Sequence, residues 1–167
     1  SSTFFWINKK IDNGKVLNLK DVKILNNDNA LTLYNRIIKT ASSQIPTIIK
    51  KINNKNLKII KKDQQTGIYW RRRKFADGQI DWRMRSVDIH NLIRGLSYPY
   101  IGAHFIYKKN IVKVWKSKKT QKKLPYYLPG QIVNVSKKNV EIKCGEGTII
   151  IDKTDKTINF KINGYIE

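Results

Sequence analysis

Residues 79–105, "QIDWRMRSVDIHNLIRGLSYPYIGAHF", pass from one hydrophobic period to another, and that change decides the fold. Ile89, Leu92, Ile93 and Leu96 recur at the three- and four-residue spacing of an amphipathic helix. Ser86 stands where a helix cap is expected, and Pro99 where a helix must end. Beyond residue 102 the period drops towards two. The runs "AHFIY", "IVKVWKS", "QIVNVS", "VEIKC", "TIIID" and "TINFKI" read as six short strands. Turn signals, Pro129-Gly130 and Gly145-Glu146-Gly147, lie among them. A short helix leading into closely spaced strands predicts a helix-plus-β domain over residues 79–167, closed as a small barrel or curled sheet.

Upstream the periodicity lapses in "KKDQQTGIYWRRRKFADG", residues 61–78, which reads as a connector. Before it, Tyr34, Ile37, Ile38, Ala41, Ile45, Ile48, Ile49 and Ile52 mark a long amphipathic helix. Asp28 or Asn29 would cap it, Asn53-Asn54 would stop it, and Pro46 is expected to kink or split it, with Ser42 or Ser43 capping the second piece. Residues 4–7 and 16–24 read as strands around the turn Asp12-Asn13-Gly14. The overall expectation is α+β, with strand, turn, strand and helix forming one edge of an α/β sheet ahead of the β-rich part.

Composition narrows the chemistry. The 167 residues carry 34 Lys+Arg against 12 Asp+Glu, a formal charge of +22, which attracts any polyanion. Enrichment in Lys, Asn and Ile also fits A/T-rich coding DNA, so part of that charge is compositional bias. With one cysteine, Cys144, no internal disulfide can form, and with only His90 and His104 beside it a structural zinc site is not expected. Cys144 reads as a small buried thiol, and the two histidines as partly buried members of a helix and a strand. The sequence shows no apolar run long enough to span a membrane, no signal peptide and no Gly-rich phosphate loop. A reducing, cytoplasmic setting follows. Two basic stretches remain. Arg71, Arg72, Arg73 and Lys74 follow Tyr69 and Trp70, and guanidinium forks beside aromatic rings suit phosphate and a base. "KSKKTQKK", residues 116–123, places five lysines in what reads as a solvated loop.

Taken in order, "IDNGKVL", "LTLYNRI", "IDWRMRSVDIHNLIRGLSYPYIGAHF", "IVKVWKS", "PGQIVNV" and "IKCGEGTIII" resemble the folate-dependent formyltransferases, which include methionyl-tRNA formyltransferase and the sugar N-formyltransferases. The resemblance runs over residues 3–151. It implies a Rossmann-like domain that binds N10-formyltetrahydrofolate as co-substrate and carries an Asn-His-Asp trio, followed by a smaller β-rich domain. Asp12 falls on the family's aspartate, whose implied role is to orient and charge-stabilise the catalytic histidine; the asparagine polarises the formyl group. The family's asparagine and histidine lie in an upstream segment that this sequence does not contain, and neither His90 nor His104 matches. Residues 1–60 are therefore expected to be the C-terminal part of a catalytic domain, 61–78 a basic connector and 79–167 the C-terminal domain, inactive alone. An incomplete sheet would expose an apolar edge, through which two copies would pair as a homodimer.

Two acceptors are consistent with the resemblance. "YWRRRKFADGQIDW" is similar to enzymes acting on nucleotide-linked 4-amino sugars, with Arg71, Arg72 and Arg73 as phosphate contacts. The net charge and the lysine stretch point instead to initiator Met-tRNA, held by the C-terminal domain. A third reading is a non-catalytic module that binds polyanions.

Overall fold

The computed structural model describes residues 1–9, 14–60 and 70–166. Asp12, the residue the resemblance makes catalytic, lies outside the described residues, as does half of the expected connector, residues 61–69. The chain divides into two compact units, one of Ser1–Asp28 with Thr32–Arg71 and one of Asn29–Leu31 with Arg72–Glu167.

In the first unit, strands β1 (Ser2–Phe5) and β2 (Val16–Lys20) pair antiparallel, Thr3 opposite Leu19. The second strand ends at Lys20 rather than near residue 24. Helix α1 (Ala30–Asn53) runs unbroken for 24 residues, so Pro46 does not split it. Proline removes one helical hydrogen bond, from the carbonyl of Ser42. Ser42 and Pro46 are both exposed, and water can satisfy that carbonyl. The helix entrance is fixed by Asp28, a buried carboxylate. It accepts from the Leu25 N–H at 2.7 Å, from Thr32 Oγ1 at 2.9 Å, and from both terminal nitrogens of Arg36 at 2.5 and 2.7 Å. The Arg36 guanidinium, with the Leu25 amide, holds this carboxyl well below the usual carboxylate range. The exit is a turn in which Lys55 takes a positive φ of 51° and the Asn56 N–H reaches back to the Lys51 carbonyl. Gln44 ties α1 to the strands through Asn18 Oδ1 at 2.5 Å and the Ser2 carbonyl at 3.3 Å. The expected inward stripe is only partly inward. Ile48 is buried, but Tyr34, Ile38, Ile45, Ile49 and Ile52 are exposed, because two short strands cover one side of the helix.

The second unit holds α2 (Ser86–Gly95) against a five-stranded antiparallel sheet. Its strands are β3 (Ala103–Tyr107), β4 (Asn110–Thr120), β5 (Ile132–Val135), β6 (Val140–Lys143) and β7 (Thr148–Thr154), in the order β3-β4-β7-β6-β5. The long β4 carries two register shifts near Trp115 and Lys116, which bend it as bulges do. Both edges are covered. Ile80 donates to the His104 carbonyl beside β3, and residues 163–166 run along β5, Asn163 donating to the Ile132 carbonyl and Ile166 to Gly130. The sixth predicted strand, "TINFKI", is not one; Ile158 and Phe160 instead pack against the core as irregular chain.

Ser86 also departs from expectation. It is the first helical residue, not the cap, and its hydroxyl donates to the Thr120 carbonyl while its N–H donates to Glu146. The core gathers Trp82, Ile89, Ile93, Phe105, Val112, Val114, Ile132, Ile142 and Ile149. Trp82 meets Phe105 edge-on at 5.6 Å. Gly147 is required where it stands: its φ is +73°, and a Cβ there would lie 2.2 Å from the Thr120 carbonyl oxygen.

Candidate functional site

Trp70 to Lys74 are exposed chain without regular structure, extended at Lys74, entering a 3₁₀ turn, Phe75–Gly78. Asp77 shapes that turn, its carboxylate accepting from the Lys74 N–H at 2.6 Å. The neighbouring acids are also committed. Asp81 binds Arg83 through three side-chain contacts of 2.7–3.2 Å, which lower its carboxyl to about 2, and Asp88 binds Arg85 at 2.7 Å. Arg73 thereby has no ion pair among the described residues.

Its side chain lines a pocket of about 430 Å³ together with Asn91, Leu92, Gly95, Leu96 and Tyr100. The α2 helix supplies the floor. Its Ile89 and Ile93 face the core, so Asn91 and Gly95 fall on the opposite side, with Leu92 and Leu96 half-buried between. Asn91 Oδ1 accepts from Arg94 Nε at 2.8 Å. A Cβ on Gly95 would meet nothing within 4 Å, which leaves the floor flat. Among the three predicted arginines the pocket takes in Arg73; Arg71 and Arg72 are exposed on the same strip of chain. Asn91, Gly95 and Tyr100 were not singled out by sequence, since nothing in a helical spacing marks an outward groove.

The remaining chemistry-bearing residues are structural. Cys144 is fully buried, and burial pushes its thiol up to about 12, so the thiolate that would react is not formed. His90 Nδ1 lies 3.0 Å from Ser117 Oγ, and burial holds its imidazole below the ordinary value. His104 is buried and stacks on Phe75 at 4.0 Å, its pKa also lowered by burial. A lowered histidine pKa stabilises the fold fully above the unfolded value of 6.5, and that stability is lost as pH falls through it. Replacing His104 with leucine is therefore expected to flatten the decline in stability between pH 6.5 and 5. Thermal melts across that window check it, and an unchanged decline would rule it out.

The lysine stretch 116–123 is a loop only over residues 121–123. Lys116 to Thr120 end strand β4, where Lys116, Lys118 and Lys119 are exposed; Lys118 lies 3.8 Å from Asp152 and Lys122 3.1 Å from Glu141. Among the described residues no cluster of His, Cys, Asp and Glu could hold a metal ion, and no helix is long and apolar enough to cross a membrane.

The pairing of α2 with this antiparallel sheet has known counterparts. The family described as "Formyl transferase, C-terminal domain" matches residues 73–163, and the chain belongs to it. The methionyl-tRNA formyltransferase of Caldanaerobacter subterraneus subsp. tengcongensis is 28% identical over 149 residues, 89% of this chain and 47% of that protein. That of Clostridium novyi is 37% identical over 76 residues, 44% of this chain and 23% of that protein. An N-formyltransferase from Helicobacter canadensis, solved with folinic acid and dTDP-3-aminofucose, shares the fold with a TM-score of 0.66 at 22% identity, over 91% of this chain and 54% of its own. The matches span between about a quarter and about half the length of these curated relatives.

Proposed function

We propose that this chain is part of a cytoplasmic N-formyltransferase that moves a formyl group from N10-formyltetrahydrofolate to the amine of a nucleotide-linked 4-amino sugar. The acceptor amine attacks the formyl carbon, the bond from that carbon to N10 breaks, and the amine's proton is lost as N10 gains one. Asp12 orients and charge-stabilises the histidine that removes the proton. That histidine and the asparagine polarising the formyl group lie in the family's upstream segment, so residues 1–60 complete a catalytic half, 61–78 connect it, and 79–167 form the second domain. This chain alone is then inactive, and turnover of formyl-folate by it would overturn the assignment.

The observation that carries the sugar acceptor is Arg73, a guanidinium without an acid partner among the described residues, at a pocket of ligand size. A second reading, Met-tRNA as acceptor, has its own support in the exposed lysines of β4 and in relatives named methionyl-tRNA formyltransferases. Initial rates on nucleotide-linked 4-amino sugars and on initiator Met-tRNA, measured in protein carrying the upstream half, separate them. Turnover confined to sugars is expected, with a salt dependence set by about two phosphates. Turnover confined to Met-tRNA, with a log–log salt slope several times steeper, would replace the first reading by the second.

A further inference from the structure

We propose that His104 is a pH-sensitive seat for the turn Phe75–Gly78: its neutral ring holds the turn, and with it Arg73, on the second unit, and uptake of a proton releases both. The geometry is that of a histidine under a thin cover. His104 on β3 is 1% exposed, and the Phe75 ring lies over it, centroids 4.0 Å apart and planes 23° from parallel. The Ile80 N–H donates to the His104 carbonyl at 2.8 Å, so the chain leaving the turn is held by the same residue. Gly78 brings the turn close, since a Cβ there would stand 3.4 Å from His104 Nδ1. Lys74 closes the turn, its carbonyl accepting from the Asp77 N–H and its N–H donating to the Asp77 carboxylate. Seating Phe75 therefore fixes the chain at its neighbour Arg73, which lines the pocket beside α2.

Nothing around the ring is arranged to hold a positive charge. Nδ1 has no hydrogen-bond partner, and no carboxylate is paired with His104 among the described residues. Lys113 stands directly opposite on β4, and the acid of the turn, Asp77, is engaged with Lys74. After α2, Leu96 brings only hydrocarbon to the side of Gly78. Burial opposes a proton on this imidazole most; the Gly102 carbonyl favours it and Lys113 opposes it. The face of Phe75 attracts a cationic ring, but much less than water does. The strand beneath is locked to β4, so water reaches the ring at least cost when the turn lifts. Phe75 is 48% exposed and residues 70–74 before it are exposed, so that motion uncovers little apolar surface. The seat is complete above the free-histidine value of 6.5 and weakens as pH falls below it, by up to tenfold per unit for one proton taken up on opening.

Hydrogen exchange of this chain between pH 7.5 and 5, read by NMR as protection factors, tests the seat. Protection of the Asp77 and Gln79 amides, which donate to Lys74 and Ala76, is expected to fall about tenfold from pH 7 to 5. Amides of β4 and β7 should keep theirs. His104→Phe, a ring that takes no proton, should hold the turn amides protected throughout. Phe75→Ala should expose them already at pH 7.5, and His90→Gln, which removes the other histidine, should behave as the parent. An equal loss of protection in His104→Phe would overturn the seat. So would a loss in β4 and β7 in step with the turn, which is unfolding of the whole unit. A parent chain whose turn amides stay protected to pH 5 overturns it whatever the variants do.

The consequence for the acceptor rests on the nucleotide-sugar reading. In protein carrying the upstream half, acceptor KM should rise about tenfold between pH 7 and 5 in the parent and not in His104→Phe. The same KM profile in both would show that Arg73 does not depend on the seat. Absence of amino-sugar turnover at every pH removes that reading, while the exchange result still decides the seat.

Discussion

Asp12→Asn, in protein carrying the upstream half, is expected to lower the rate of formyl transfer by about 10³-fold while changing KM for the acceptor little. An asparagine keeps the shape of the carboxylate but removes the negative charge. In the proposed mechanism the imidazole that takes the amine proton becomes positive in the transition state, and a carboxylate beside it would stabilise that charge without affecting ground-state binding. The same charge raises the imidazole pKa, so its removal should shift the acid limb of the pH–rate profile to lower pH. Asp12→Glu, which keeps the charge and misplaces it, should recover part of the rate. If Asp12 is only a hairpin residue, Asp12→Asn will lower the melting temperature at most and leave both rate and pH profile alone. A rate within about threefold of the parent would withdraw Asp12 from the catalytic set.

The second large effect concerns the fold that carries the pocket. Phe105→Ala should cost about 3–5 kcal/mol of the stability of the second unit. Phe105 on β3 is completely buried, with Trp82 edge-on at 5.6 Å and Phe160 at 6.3 Å. Truncation leaves a cavity bounded by rigid strands and a helix, which cannot collapse to fill it. Phe105→Leu should lose roughly half as much, since most of the volume is kept. Urea unfolding measures both. A loss under about 1 kcal/mol for the alanine variant would show that the Trp82–Phe105 contact does not organise this core.

Residues 79–105 were readable because the local signals, Ser86 apart, agreed. The helix period, Pro99 and the return to alternation at Ala103 all act within a few residues of one another, and α2 followed by β3 is what they specify. The strands from β4 to β7 were legible for the same reason. The misreadings have a common origin in groups satisfied from far along the chain. Ser86 looks like a cap, but its hydroxyl is taken by the carbonyl of Thr120, 34 residues away. "TINFKI" alternates like a strand, yet among the described residues it joins no sheet, and Ile158 and Phe160 settle on the core instead. Glu141 and Lys143 of β6 are charged, yet both are buried. Thr148 and Lys122 hold the carboxylate, and the carbonyls of Cys144 and Gly145 hold the ammonium.

The sequence by itself determined the α+β composition, the place of α2 and most strands, the burial of Cys144 and the order of motifs that carries the family. These depend on period, turn chemistry and spacing, which are local properties of a chain. Only the tertiary structure decided the strand order β3-β4-β7-β6-β5, the covering of both sheet edges and the continuity of α1 through Pro46. It also decided which of three consecutive arginines lines a pocket. Arg71, Arg72 and Arg73 are equivalent as letters; the floor that distinguishes Arg73 is made by the far side of a helix twenty residues on, and no short-range pattern encodes that meeting.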